Sequence, residues 1–358
     1  MTKLFEWNSH RIIMNVGCYS FAGLIEIRIP NEPKFPFHNY LLELVSEFDE
    51  KESSVYMNGV EHFIQHIWND VVKNNWRKLN VRKLIPERLG VQSGVFYGYK
   101  NGKKAISILT LHKLLLLWQE FCNKSDGEIH KKWDEIYHSN FTLSTHSKCQ
   151  RVILPKFLFP KLSYLLGWIC GDGYLKSSKN RYTIKISEKS IDQLKLVLNP
   201  LFREIFDVNP PVFKRSRRGY AIKIGSKPIF RFLTQVIKLK VGEIPTIVKN
   251  MDPINKKHFL IGILDSEGHI DDSYKGSRII ISQADQGFLR EIMMLFKEVD
   301  VDFTGPHIHK GEKGIWYTIQ IRKKSEIMKF ARLVGSYHVD KLQRIHALVN
   351  IIEKNRHN

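Results

Sequence analysis

The feature that most constrains this chain is a motif written twice. Leu165-Leu166-Gly167-Trp168-Ile169-Cys170-Gly171-Asp172-Gly173 stands 95 residues ahead of Leu260-Ile261-Gly262-Ile263-Leu264-Asp265-Ser266-Glu267-Gly268. The same offset carries Ile184-Lys185-Ile186-Ser187-Glu188 onto Ile279-Ile280-Ile281-Ser282-Gln283. At an offset of 97, Tyr220-Ala221-Ile222-Lys223-Ile224 falls on Tyr317-Thr318-Ile319-Gln320-Ile321. Three matches in order with two residues of drift read as one structural unit present in two copies.

Each copy has the same local pattern. Residues 162–171 and 255–266 read as helices that end at an acidic residue followed by glycine, a stop signal. Residues 174–176, 182–187 and 219–224 are β-branched and alternating, as are 278–282 and 315–321, so they read as strands. Ile191, Leu194, Leu198 and Leu201 fall at helical spacing between the strand pairs, as do Phe288, Ile292, Leu295 and Phe296. A last helix is expected in each copy near 229–237 and 327–333. The expected class is α+β: a duplicated αββαββα unit, with repeats at 157–250 and 251–358, behind a mostly helical N-terminal region.

Charge is distributed with the same unevenness. The 358 residues carry a formal net charge of +20. Residues 151–358 hold 37 Lys and Arg against 20 Asp and Glu, a net of +17, whereas residues 1–72 hold 5 against 10, a net of −5. A large positive field favours phosphate backbones or anionic surfaces. Cys18, Cys122, Cys149 and Cys170 are scattered, which argues against a disulfide scaffold or a zinc ribbon. No apolar run approaches the ~20 residues of a membrane span, and the first residues lack the apolar core of a signal peptide. The expected location is intracellular and cytoplasmic, without a membrane partner.

The repeated segment has the composition of a chemical site. Gly167 and Gly171 stand four apart on one helix face, as do Gly262 and Ser266, and small residues at that spacing let two helices approach backbone to backbone. If the motif helices pair, Asp172 and Glu267 meet at their C-terminal ends. Two close carboxylates raise each other's pKa, and a divalent cation removes that cost. The negative end of a helix also favours a cation. Carboxylates with phosphate oxygens suit Mg²⁺, which can then stabilise charge during phosphodiester cleavage.

LLGWICGDG and LIGILDSEG resemble the two motifs of the LAGLIDADG homing endonuclease family, and the resemblance covers about 155–350. It implies a pseudo-two-fold αββαββα duplication in one chain, with the two sheets forming a saddle on DNA and the motif helices forming the interface. It implies catalysis and metal binding by Asp172 and Glu267, with Mg²⁺ as cofactor and Mn²⁺ able to substitute. Position six of the motif is acidic in one copy, Asp265, and Cys170 in the other; the family uses it to cap and pack. The water-ordering polar position falls on Glu188 and Gln283, and the basic position facing the phosphate on Lys240 and Lys341, with Lys238 competing for the former. The implied activity is site-specific, double-strand DNA cleavage by a monomer on a long, partly asymmetric target. The alternatives are a non-cleaving transcriptional regulator or an RNA-splicing maturase with the same fold, the latter making RNA the partner. The terminal His357-Asn358 suits an intein, but the opening Met does not.

DNA contacts are expected from Lys185, Lys214, Arg215, Arg217, Arg218, Lys223, Arg278, His307, His309, Lys310, Arg322 and Lys323, in or beside the strands. A second basic stretch lies at 73–104, with nine basic residues against Glu87, a net of +8. There 81–89 reads as a helix, Gly90 breaks it, and Gln92 or Ser93 opens a second helix. With 106–118 as support, 73–122 resembles a helix-turn-helix that offers Gln92, Ser93, Tyr97 and Lys100 to a groove. Residues 1–72 suggest a strand at 23–29 and helices at 40–48 and 60–72, with no evident role. The polar stretch 123–156 reads as a linker.

Overall fold

The computed structural model describes residues 5–7, 10–12, 55–75, 80–145, 149–178, 181–215, 219–273, 276–312 and 314–354. The segments 23–29 and 40–48, Arg217 and Arg218, and the terminal His357-Asn358 lie outside them.

Antiparallel strands β1 (Phe5–Trp7) and β2 (His10–Ile12) precede an N-terminal unit. That unit runs through β3 (Tyr56–Asn58), α1 (Glu61–Asn75), α2 (Val81–Arg88), α3 (Ser93–Lys100), β4 (Ile106–Ser107), α4 (Ile108–Cys122), α5 (Asp126–His138) and β5 (Thr142–Ser144). Its three strands pair in the order β4-β3-β5. Residues 123–156 are therefore not a plain linker. Ser125 accepts from the Glu128 N–H while Glu128 accepts from the Ser125 N–H, a reciprocal cap that starts α5. Ile129, Trp133, Ile136 and Tyr137 then fall on one buried face. Exposed Lys, Asp and Glu on the other faces gave the segment its polar composition. The unit also begins ahead of residue 73, because β3 carries both of the other strands.

The duplicated part follows. The first repeat is α6 (Pro160–Asp172), β6 (Gly173–Ser178), β7 (Arg181–Glu188), a π-helical turn (Gln193–Leu198) continuing as α7 (Asn199–Phe206), β8 (Val212–Arg215), β9 (Gly219–Ile224) and α8 (Lys227–Arg231), which runs into a second π-helical turn (Phe232–Val236). A short α9 (Thr246–Lys249) leads to the second repeat: α10 (Pro253–Glu267), β10 (Gly268–Asp271), β11 (Arg278–Gln283), α11 (Gln286–Glu298), β12 (Thr304–Gly311), β13 (Gly314–Ile321) and α12 (Lys324–Leu333). The two four-stranded sheets have matching antiparallel orders, β6-β7-β9-β8 and β10-β11-β13-β12. Helix α13 (Val339–Lys354) extends the second copy only.

One face of each sheet is covered by its helices. Ile184, Ile186, Ile222 and Ile224 in the first repeat, and Ile279, Ile281, Ile319 and Ile321 in the second, are buried there. Alternation along the strands leaves the opposite face open. No helix among the described residues is long and apolar enough to cross a membrane.

Candidate active site and nucleic-acid interface

Helices α6 and α10 pack backbone to backbone, and their glycines are the reason. A Cβ added at Gly167 would stand 2.1 Å from the Phe259 carbonyl oxygen, and one at Gly262 would stand 2.2 Å from that of Tyr164. No side chain fits at either point. Around this contact both helices are almost wholly buried: Leu162, Leu165, Leu166, Trp168 and Ile169 on one and Phe259, Leu260, Ile261, Ile263 and Leu264 on the other have zero exposure. Near the N-terminal ends, the Ser163 hydroxyl donates to Asn255 Oδ1 at 2.9 Å.

The helices end together. At Gly171 an added Cβ would lie 2.2 Å from Ser266 Oγ and 2.9 Å from Glu267 Cγ, so the Glu267 side chain passes directly over the residue before Asp172. Each helix passes straight into a strand at Gly173 and Gly268, whose backbones are extended (φ −73° and −82°) and not left-handed. Glycine is required there by space: a Cβ would approach the Ile169 and Leu264 carbonyl oxygens to 2.3 and 2.5 Å. The acidic ends are thus pinned at the seam between the two sheets.

The electrostatics follow from that placement. Burial and then the Asp172 charge push the Glu267 carboxyl up to about 7, against a hydrogen bond from Gln283 and the charge of Lys341. Asp172 also lies above the ordinary carboxylate range, through desolvation by the surrounding protein and the charge of Glu188, with Lys341 opposing. Lys341, at the start of α13, donates to the carbonyl oxygens of Leu264 at 2.9 Å and Asp265 at 2.7 Å, at the end of α10. Burial holds its ammonium below the ordinary lysine value while Asp265, Glu188, Glu267 and Asp172 pull it back up. One lysine therefore shares the field of four carboxylates, and His338 adds to it at Glu188 and Asp265.

The positions matched between repeats diverge. Gln283 bonds to Glu267. Glu188 is engaged elsewhere: its Oε1 accepts from the N–H groups of Lys189 at 2.6 Å and Ser190 at 3.0 Å, and its Oε2 lies 3.8 Å from His338 Nε2. Burial pushes Glu188 up, but His338 and those N–H groups outweigh it and leave its carboxyl below the usual value. Lys240 departs further. Its side chain is exposed and pairs with Glu243 at 3.2 Å, and it is absent from the charges acting on Asp172 and Glu267. Lys240 and Lys341 are thus placed differently, because Lys341 is carried by α13 and Lys240 by the short turn before Glu243. Lys238, the competitor for that position, is exposed in a left-handed turn (φ 57°).

Position six clamps each repeat's own tail. Asp265 accepts from Tyr164 OH at 2.8 Å, from the Tyr337 N–H at 2.9 Å and from Ser336 Oγ. Cys170, in the same place, donates to the Glu243 carbonyl at 2.9 Å, and burial pushes its thiol up to about 12. Sequence reasoning missed the residues on the other side of this clamp, above all His338. Its adjacency to the Asp340-Lys341 segment was the available signal.

Register sorts the DNA candidates by face. Lys185 pairs with Lys223 and Tyr174 on the open face, and its Nζ sits 4.8 Å over the Tyr174 ring. Arg215 donates to Ser187 Oγ at 2.8 Å on the same face. Lys176 and Arg181 alternate onto it as well, and sequence reasoning missed both. Lys214 pairs with Tyr220, one position out of step, which puts it on the helix-covered side. Lys310, opposite Ile315, is likewise out of step with that face, at an exposed hairpin end. In the second repeat the open face holds Arg278, with its Nε 3.3 Å from Asp271, and His307, His309 and Trp316. The His309 ring stacks on Trp316 at 5.5 Å. Arg322 Nε donates to Gln320 Oε1 at 3.0 Å, and Lys323 precedes α12. The first repeat's face is thus cationic and the second's largely histidine and aromatic.

Two glycine-paired helices that end in carboxylates between matched four-stranded sheets define a duplicated, single-chain LAGLIDADG architecture. Comparison agrees. Residues 255–335 match the LAGLIDADG-like domain. Homing endonuclease I-ApeI of Aeropyrum pernix is 26% identical over 196 residues, covering 52% of this chain and 86% of that protein. Glutamine–fructose-6-phosphate aminotransferase (isomerizing) of Methanocaldococcus jannaschii is 24% identical over 296 residues, which is 79% of this chain but only 25% of that protein. A crystal structure of I-DmoI in complex with DNA and Mn aligns at 21% identity and a TM-score of 0.38, covering 49% of this chain and 96% of that one. Residues 255–335 thus carry a LAGLIDADG-like domain, and the chain is similar to a homing endonuclease over about half its length.

Proposed function

We propose that this chain is a site-specific double-strand DNA endonuclease of the homing type. The observation that carries the reading is the meeting of Asp172 and Glu267 at the ends of two fused helices, between two sheets whose open faces are free to receive a duplex. The I-ApeI relative is named a homing endonuclease, and the net charge of +20 suits a polyanionic substrate.

The donor chemistry fits a divalent metal, in our reading Mg²⁺ with Mn²⁺ able to substitute. Asp172 and Glu267 are oxygen ligands whose charged forms are both disfavoured, Glu267 by burial and Asp172, and Asp172 by burial and Glu188, a cost that a hard cation removes. No group of three or more His, Cys, Asp or Glu able to hold a metal occurs among the described residues. Two carboxylates with the remaining places left to water and phosphate is the arrangement Mg²⁺ favours. The bound ion would supply stabilisation of the charge that develops on the scissile phosphate.

The chain's own residues do the rest. Gln283 orients Glu267 through its hydrogen bond. Lys341 holds positive charge at the seam while the carboxylates are unneutralised. Lys185, Lys223, Lys176 and Arg215 hold the backbone over one half of the target. Purified protein with Mg²⁺ should cut long DNA at rare sites, and Asp172→Asn and Glu267→Gln should each stop cutting while leaving gel-shift binding intact. Normal cutting by both variants would remove the site assignment. Specific binding with no cutting in Mg²⁺ or Mn²⁺ would instead leave a DNA-binding regulator.

A further inference from the structure

The basic helices of the N-terminal unit are not used by the saddle, and they carry the next inference. Helices α2 and α3 are joined by a short turn through Gly90, held left-handed at φ +69° with open space around it. The Val91 N–H donates to the Pro86 carbonyl at 2.9 Å, which fixes the angle between the helices. Val81, Ile85, Leu89, Phe96 and Tyr99 bury their inner faces. Their outer surface is cationic: Arg82, Lys83, Lys103 and Lys104 are exposed, Glu87 is the single acid from 80 to 104, and Arg88 is paired with Glu120 at 2.9 Å.

The start of α3 is bare. Gln92, Ser93 and Gly94 are exposed, Gln92 makes no side-chain capping bond, and a Cβ at Gly94 would meet nothing within 4 Å. Behind this end, Tyr97 packs edge-on to Trp68 at 6.0 Å, and Lys100 Nζ lies 5.2 Å over the Tyr97 ring. The first turn is therefore a rigid, uncapped helix end with polar side chains projecting from it, flanked on both sides by free cations. That combination matches a helix entering a groove while its neighbours hold phosphates.

The unit is also fixed to the first repeat. Leu143 and Val152 exchange N–H···O bonds of 2.8 and 2.7 Å, the Ile153 N–H donates to the Phe206 carbonyl at 3.1 Å, and the Lys227 N–H donates to Thr145 Oγ1 at 3.0 Å. Tyr137 OH donates to the Lys156 carbonyl at 2.9 Å. The connection is bonded to both bodies and leaves no slack tether.

We infer that α2 and α3 form a second double-stranded DNA contact, at a set distance from the saddle, so that the recognised site is extended on the first repeat's side only. This rests on the endonuclease reading for the saddle itself. The test uses the full chain in EDTA on a DNA site selected from a random pool. Wild type, an Arg82→Gln/Lys83→Gln double variant, Gln92→Ala, and Lys185→Gln/Lys223→Gln are compared by footprinting and by salt titration. All changed residues are exposed except the half-buried Lys185, and unchanged circular dichroism controls for folding. The double variant should lose protection at one end of the footprint and flatten the logarithmic salt slope by about 2. Gln92→Ala should lose roughly tenfold in preference at one base position outside the central site. An unchanged footprint and slope in both would overturn the inference and leave the endonuclease reading standing. Loss of all binding in the double variant, with none in Lys185→Gln/Lys223→Gln, would do the reverse. No DNA bound by wild type would end both.

Discussion

At the scale of single residues, the site is a balance of charges set by where the chain buries them. Glu267 is displaced from an ordinary 4.5 to about 7, by burial first and by Asp172 second. Between those values the folded protein keeps a proton that the unfolded chain has lost, so this group's contribution to stability is present in acid and disappears as pH rises through about 7. In EDTA, Glu267→Gln should therefore stabilise the protein more at pH 8 than at pH 5, by about 1–2 kcal/mol after allowing for partial solvation. Urea denaturation at the two pH values measures it, and an equal gain at both would contradict the displacement. Lys341→Met removes the charge opposing this field and the donor to Leu264 and Asp265. Cleavage should fall on the order of 10²-fold with DNA binding retained; a single-turnover assay beside a gel shift separates the two.

At the scale of elements, the glycines decide how close the two halves stand. Gly262→Ala places a methyl 2.2 Å from the Tyr164 carbonyl. Helices α6 and α10 must then separate, at a cost of about 2–3 kcal/mol, which chemical denaturation would read; a neutral result would mean that the interface is looser than described. This element pair was legible from sequence because its pattern is steric and repeats. Helix α5 was not, since its buried stripe of Ile129, Trp133, Ile136 and Tyr137 is diluted by charged residues. The outward or inward turn of Lys214 and Lys310 was equally hidden, because a shift of one residue in register reverses a strand's faces and sequence alone does not set the register.

At the scale of the whole molecule, the duplication is read directly from the chain but its breaks are not. Symmetry predicts two lysines, two water-ordering groups and two like sheets. The fold delivers one buried Lys341, a Gln283 free to bond Glu267, and a Glu188 tied to His338. For Lys341 and Glu188 the cause is α13 and the residue before it, which bring Lys341 and His338 into the seam, where the first repeat has the short turn around Glu243. A second cross-link runs through Gln193 of the first repeat, whose Nε2 donates to Tyr164 and whose Oε1 accepts from the Val339 N–H, both at 3.4 Å. The halves that look interchangeable in sequence are interlocked by groups outside the duplicated pattern.

The bond between Leu143 and Val152 has a consequence for the order in which the protein is made. Strand β5 emerges from the ribosome with one edge unpaired, and Val152 follows its Leu143 by nine residues. Thr145 must wait longer, until Lys227 has been synthesised. The N-terminal unit can therefore gather its core early in translation but acquires its final attachment only after most of the first repeat exists. In vectorial synthesis, the first body is held by the second and not the second by the first.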